Sequence, residues 1–195
     1  MERELMLTGI GGQGVQLAAQ TLARAATLEG RFVMLLGTYG GTMRGGNTDS
    51  TLVFGDGPLG SPPIVSRAWS AIAMHHRFWA PTRGKLQRGS LLLVNSTLFE
   101  AEDELERELL RVFEVPASEI ATGISGPMGA SMVAIAAYAR LTGIVELDSL
   151  VEAMTSSLPP YRRQHVTSNT ELLRAGFAFF DASEVPAWEA VEGAA

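Results

Sequence analysis

The stretch that most restricts the fold lies near the start of the chain, where "LTGIGGQGVQLAAQTLARAA" sets Gly9, Gly11 and Gly14 in the spacing G-x-G-x-x-G. An apolar run from Leu5 to Thr8 leads into these glycines. Val15, Ala18, Ala19, Leu22, Ala25 and Ala26 follow at helical spacing, so the glycines occupy a strand-to-helix turn. Gly30 stops the helix, and "RFVMLLG" has the length and apolarity of another strand. Strand, glycine turn, helix and strand form the opening unit of a parallel sheet.

Glycines at such a turn permit positive φ and close backbone approach. The helix that starts near Gly14 also points free N–H groups and the positive end of its dipole at whatever sits there. An anion is the natural guest, and three readings stay open: a dinucleotide, another phosphate or a partner's cofactor region, or a purely structural turn. The dinucleotide reading asks for an acid at the end of the second strand to hold ribose hydroxyls. There the chain has Gly37, Thr38 and Tyr39, and the nearest acid, Glu29, falls at the end of the helix instead.

A second glycine cluster, "TYGGTMRGGNTDS", surrounds a single cation, Arg44, with small residues. A guanidinium on so pliant a backbone suits bidentate capture of phosphate or carboxylate. Loops that follow the carboxyl ends of strands in an open α/β sheet face one crevice, so both clusters are expected to share a site. The candidate cofactor-binding residues are Gly9, Gly11, Gly12, Gln13, Gly14, Thr38, Arg44, Gly45, Gly46 and Asn47. The competing reading is a tight turn whose arginine caps a helix or pairs with an acid.

Farther along, "TLVFGDGPLGSPP" starts as a strand and ends as an exposed loop. "AWSAIAMHH" and "SLLLVNSTLF" are expected as buried strands joined by the polar "PTRGKLQRG". The segment from Glu100 is expected to hold a short acidic helix, a strand at Val112 to Val115 and a turn. Three helices follow, over Gly129 to Leu141, Leu147 to Ser157 and Asn169 to Phe180. Gly143 would stop the first, Asp148 would cap the second, and Pro159 and Pro160 would end it. The expected fold is therefore α/β: a single Rossmann-like three-layer domain over residues 1–182, with a mostly parallel sheet and a helical C-terminal part. Residues 183–195 are expected as an extended tail, with Val185 and Trp188 able to dock on a neighbour.

Composition excludes several chemistries. A chain of 195 residues that is 46% hydrophobic suits one domain. A net charge of −6 argues against nucleic acid, although Arg67, Arg77, Arg83, Lys85 and Arg88 fall in an acid-free interval that could form one basic face. With no cysteine the chain has neither disulfides nor thiolate ligands for an iron-sulfur cluster. No stretch is long and apolar enough for a membrane span, and a cytoplasmic protein is the expectation. His75 and His76, read as neighbours on a strand, would point to opposite faces and share no metal, and His165 in "YRRQHV" reads as surface or interface. Neither a catalytic triad nor a metal site is expected.

The two glycine loops, "FEVPASEIA" and "GPMGASMVAIAAYARLTGIVELDSLVEAM", in that order, resemble the gamma subunit or domain of thiamine-diphosphate-dependent 2-oxoacid:acceptor (ferredoxin) oxidoreductases, of pyruvate, ketoisovalerate, indolepyruvate or phenylglyoxylate type. The likeness covers roughly residues 4 to 180. It implies a subunit, inactive alone, of a complex that oxidatively decarboxylates a 2-oxoacid, often to an acyl-CoA. Thiamine diphosphate would lie between alpha and beta subunits, and the iron-sulfur clusters in beta or in a ferredoxin-like subunit. No cofactor would be held by this chain alone, but coenzyme A would meet it at the interface, with Arg44 touching a CoA phosphate or the alpha subunit. Gly41, Thr42 and Met43 depart from the G-P-E-x-R-G-G of many relatives, and neither the 2-oxoacid nor the acceptor is specified. The alternatives are a stand-alone nucleotide-binding reductase and a non-catalytic scaffold.

Overall fold

The computed structural model of the chain describes residues 1–39, 45–60, 62–100 and 105–188. Its six-stranded sheet runs in the order β2-β3-β1-β4-β5-β6. The strands are β1 (Glu2–Ile10), β2 (Phe32–Tyr39), β3 (Asn47–Gly55), β4 (Ala68–Ala73), β5 (Leu86–Asn95) and β6 (Arg111–Val115). β1, β4, β5 and β6 pair in parallel, while β3 is antiparallel both to β1 and to β2. The sheet is thus mostly parallel, as expected, but the opening unit is split. β2 runs in the direction of β1 without touching it, because the chain turns back after Tyr39 and inserts β3 between them. A short connection can only return a strand antiparallel, and that return fills the place beside β1. Leu52 and Phe54 of β3 are fully buried there, whereas β2 becomes an edge strand with Phe32 and Leu36 exposed.

One face of the sheet carries the large core. Helices α1 (Val15–Leu28) and α4 (Ala130–Thr142) lie on it, packed over Leu5, Leu7, Leu52, Phe54, Ile72, Leu91 and Leu93. α5 (Leu147–Ser157) packs on α1, and α6 (Val166–Phe177) on α4, so sheet, inner helices and outer helices make three layers. Twelve of the residues of α4 are buried, as its alanine-rich sequence requires for a helix with neighbours on every side. α6 approaches α4 at Gly176, where a β-carbon would stand 2.2 Å from the Val133 carbonyl oxygen. The other face holds a smaller cluster, in which Met6, Ala71, Ala73, Leu92 and Val94 meet Trp79, Leu105 and Leu110. Its cover comes from the turn at His76–Phe78, the four-residue α2 (Ala80–Arg83) and the segment near Leu110.

Several local expectations change. "ASEIATGI", read as a turn, is the helix α3 (Ala117–Ile124), too short for its periodicity to stand out. α5 opens at Glu146 rather than at Asp148, which sits in its first turn. α6 begins at Val166, straight after a 3-10 turn over Pro160–His165, and ends at Phe177. Of the expected acidic helix, residues 101–104 lie outside the described residues, and Leu109 and Leu110 instead close a turn by donating to the Glu106 carbonyl. The segment after Ser183 docks on this chain itself: Val185 and Ala187 are buried, their N–H groups donate to Leu141 and Thr142, and Trp188 Nε1 donates to Ile144.

Candidate functional site at the carboxyl edge of the sheet

β1, β4, β5 and β6 end on one edge, where β3 begins, and the first glycine loop leaves β1 there. The two glycine clusters meet: the Gly11 N–H donates to the Gly46 carbonyl at 2.8 Å. Gln13 clamps the loop from within. Its Oε1 accepts from the Ile10 N–H at 2.8 Å, and its Nε2 donates to the Met74 carbonyl at 3.3 Å. Gln13 is therefore a tie between the loop and the end of β4, and Gly9 lies directly beneath its side chain. Gly12 and Gly45 face open space, with no heavy atom within 4 Å of the position a β-carbon would take.

Thr38 is exposed near the end of β2, opposite Asp49 in the ladder. Asn47, expected in a loop, is the first residue of β3 and donates from Nδ2 to Asp49 Oδ2 at 2.6 Å. Arg44 lies outside the described residues. The structure thus brings Gly11, Gly45 and Gly46 together, sets Asn47 next to them at the start of β3, leaves Thr38 on the edge strand β2 with β3 between it and β1, and turns the Gln13 side chain inward. Asp49 was not singled out from sequence. It faces β1 at Thr8 and β2 at Thr38, its Oδ1 is buried without a hydrogen-bond partner, and the same holds for Asn47 Oδ1. Glu29, the other acid weighed for a ribose, accepts the Glu146 N–H at 2.7 Å.

His75 and His76 are not on a strand. His75 caps a 3-10 turn by accepting from the Arg77 N–H, His76 Nδ1 bonds the Leu98 carbonyl, and the two rings lie 4.5 Å apart. Asn95 ties the edge together farther along, donating to Ser118 Oγ and accepting from its N–H.

Gly14 adopts φ 76° as the N-cap of α1, a conformation that costs other residues about 1–2 kcal/mol. Beside it opens a cavity of about 380 Å3 reached by the starts of α1 and α4 and by the turn before α6. Sequence reasoning gave no role to Ser131, Arg162 or Asn169 on its wall. They come from segments far apart in the chain, and only Gly14 among the candidate residues reaches them.

The model of the pyruvate ferredoxin/flavodoxin oxidoreductase family matches residues 4–179, and the chain belongs to that family. It is 32% identical, over 82% of this chain and 87% of the relative, to the 2-oxoglutarate synthase subunit KorC of Methanothermobacter thermautotrophicus. It is 28% identical to the pyruvate/ketoisovalerate oxidoreductases common subunit gamma of Thermococcus litoralis, over 77% of this chain and 84% of that one. Among solved structures, the keto/oxoacid ferredoxin oxidoreductase gamma subunit of Geobacter sulfurreducens superposes with a TM-score of 0.77 at 26% identity, covering 91% of this chain and 95% of that chain. The fold recurs in the 2-oxoglutarate:ferredoxin oxidoreductase of Magnetococcus marinus, with a TM-score of 0.82 at 18% identity, covering 95% of this chain and 32% of the other. The resemblance to gamma subunits read from the two glycine loops therefore holds along nearly the whole chain.

Proposed function

We infer that this chain is the gamma subunit of a 2-oxoacid:acceptor oxidoreductase of several subunits. In this reading it packs against thiamine-diphosphate-bearing alpha and beta subunits, electrons leave through iron-sulfur clusters held elsewhere, and the chain alone is inactive. The observation that carries the reading is the union of the two glycine loops through Gly11 and Gly46 at the carboxyl edge. That union leaves Gly12 and Gly45 bare toward solvent, a surface on which backbone can approach a coenzyme or a neighbouring subunit closely. The residues suit coenzyme A in one respect: backbone N–H groups and the start of α1 favour its phosphates. The chain has no cysteine to ligate a cluster, which agrees with clusters in the partners.

The stand-alone reductase reading is weaker on a physical ground. The strand that would offer an acid to a ribose beside β1 is displaced to the edge by β3, and Glu29 is spent on the backbone of Glu146. Co-expression with its neighbouring genes decides the matter. The chain is expected to co-purify with a thiamine-diphosphate-binding partner and to be needed for 2-oxoacid oxidation; purification without such a partner would overturn the reading. In the assembled enzyme Arg44→Ala is expected to raise the KM for coenzyme A about tenfold, the worth of a charge-assisted hydrogen bond.

A further inference from the structure

The two edges of the sheet are protected unequally. β6 has five residues, carries Arg111 and Glu114, and is covered by its own chain: Arg111 donates to the Glu184 carbonyl, and the Phe113 ring meets Phe180 edge-on at 5.9 Å. Short length, charge and cover are the usual devices that keep an edge from pairing with another molecule. β2 has none of them. Its eight residues, "FVMLLGTY", include no charge and no proline, they pair with β3 residue for residue, and among the described residues no strand lies on their outer side. The outer row of N–H and C=O groups is a template for one more strand.

The side chains of β2 carry the same message on both faces. Val33 and Leu35 turn toward the large core but stay half-buried, and they line a groove of about 510 Å3 beside α1. Phe32 and Leu36 lie on the opposite face, 47% and 38% exposed, with Met34 between them. A continuous apolar run is the pattern of a strand with neighbours, and here it occupies an edge.

The order of these residues selects the occupant. An antiparallel strand related by a two-fold axis at Met34 sets Phe32 opposite the second copy's Leu36, Val33 opposite its Leu35, and Met34 opposite itself. Every one of these pairs is apolar, and the two exposed side chains cover each other. No charge meets a like charge, since the nearest charged residue, Arg31, falls opposite Gly37. Neighbouring axes lose the match: at Leu35, Phe32 would face Thr38, and at Val33, Leu35 would face Arg31. A two-fold interface must be complementary to itself, and β2 meets that condition about one residue.

We propose that two copies of this chain pair through β2, antiparallel about Met34, so that their sheets join edge to edge. Phe32 and Leu36 are the side chains that the contact buries, and the backbone row of β2 supplies its hydrogen bonds. Pairing of this kind uses none of the glycine-loop residues and does not depend on the function inferred above.

Sedimentation velocity on the full chain tests the pairing. Wild type at about 100 μM is expected to run as a dimer, a concentration that saturates a contact of micromolar Kd. Leu36→Lys is expected to weaken the dimer about a hundredfold, because symmetry counts the substitution twice and an edge lysine blocks strand addition. Leu36 is exposed, so the variant keeps the fold, and a melting curve checks this. Phe32→Lys and Leu36→Glu are each expected to weaken association as well. Combined in one chain they are expected to restore it, since each new lysine then faces the other copy's new glutamate across the axis. A monomeric wild type, a dimer untouched by Leu36→Lys, or no recovery in the double variant would overturn the proposal; the first of these would leave the edge to a strand of a different subunit.

Discussion

The glycines packed around α4 and those of the two loops at the carboxyl edge have opposite surroundings. Near the start of α4, α6 comes so close at Gly176 that the backbone of Val133 occupies the place of a side chain, and the Leu172 side chain occupies that of Gly129. At the carboxyl edge of the sheet, by contrast, Gly12 and Gly45 have no heavy atom within 4 Å of the place a β-carbon would take. Small residues therefore do not report a site by themselves. What separates packing from binding is whether the space a missing side chain creates is taken by the protein's own backbone.

Substitutions along α4 and its neighbours sharpen this contrast. The largest effect is expected from Gly176→Ala, because the added methyl would overlap the Val133 carbonyl and both helices must part. Overpacking costs about 1–3 kcal/mol, and a clash with backbone puts this one at the upper end, read as a lowered urea midpoint with an unchanged slope. A stability equal to wild type would mean that the two helices are not held as described.

Gly14→Ala comes next. The left-handed conformation costs about 1–2 kcal/mol, and the new methyl presses on Ser131 Oγ. Unlike Gly176→Ala, it is expected to raise the KM for coenzyme A in the assembled enzyme beyond what its melting temperature alone would suggest.

Tyr138, at the centre of α4, is fully buried, and burial pushes its phenol well above the ordinary tyrosine range, so it stays protonated. Its hydroxyl meets Ser70 Oγ at 2.9 Å, and Ser70 in turn donates to the Glu4 carbonyl at 3.0 Å. Since Ser70 keeps a partner, Tyr138→Phe is expected to cost only about 1 kcal/mol by chemical denaturation.

The smallest effect belongs to the thinly covered opposite face. The Arg83 guanidinium beside Glu106 holds that carboxyl below its ordinary value of 4.5, against a weaker opposing effect of desolvation. Because the folded value is the lower one, the pair stabilises the fold above about pH 4.5, and its contribution is lost as pH falls through the folded value. Glu106→Gln is therefore expected to melt slightly below wild type at neutral pH and to match it in strong acid. A difference that persists in acid would assign the effect to packing instead.

Much of the architecture was legible in the chain because its signals are local. The glycine spacing after Leu5–Thr8, the apolar faces of α1 and α5, the runs that became β4 and β5, and the alanine-rich α4 each announce themselves within a short window. α3 escaped because eight residues give too few turns, and the strand reading of His75 and His76 failed because β4 stops at Ala73 although the apolar run continues to Met74. The glycine clusters were expected to share a site, and the hydrogen bond from the Gly11 N–H to the Gly46 carbonyl brings them into contact at the carboxyl edge.

The sequence by itself determined the α/β class, the helix that starts on Gly14 and the family to which the chain belongs, since each depends on residues a few positions apart or on motifs in fixed order. Only the tertiary structure decided that β3 separates β2 from β1, that Gln13 turns inward to Met74, and that Ser131, Arg162 and Gly14 wall one cavity. These three facts depend on segments distant in the chain, and no local pattern encodes which of them meet once the core closes.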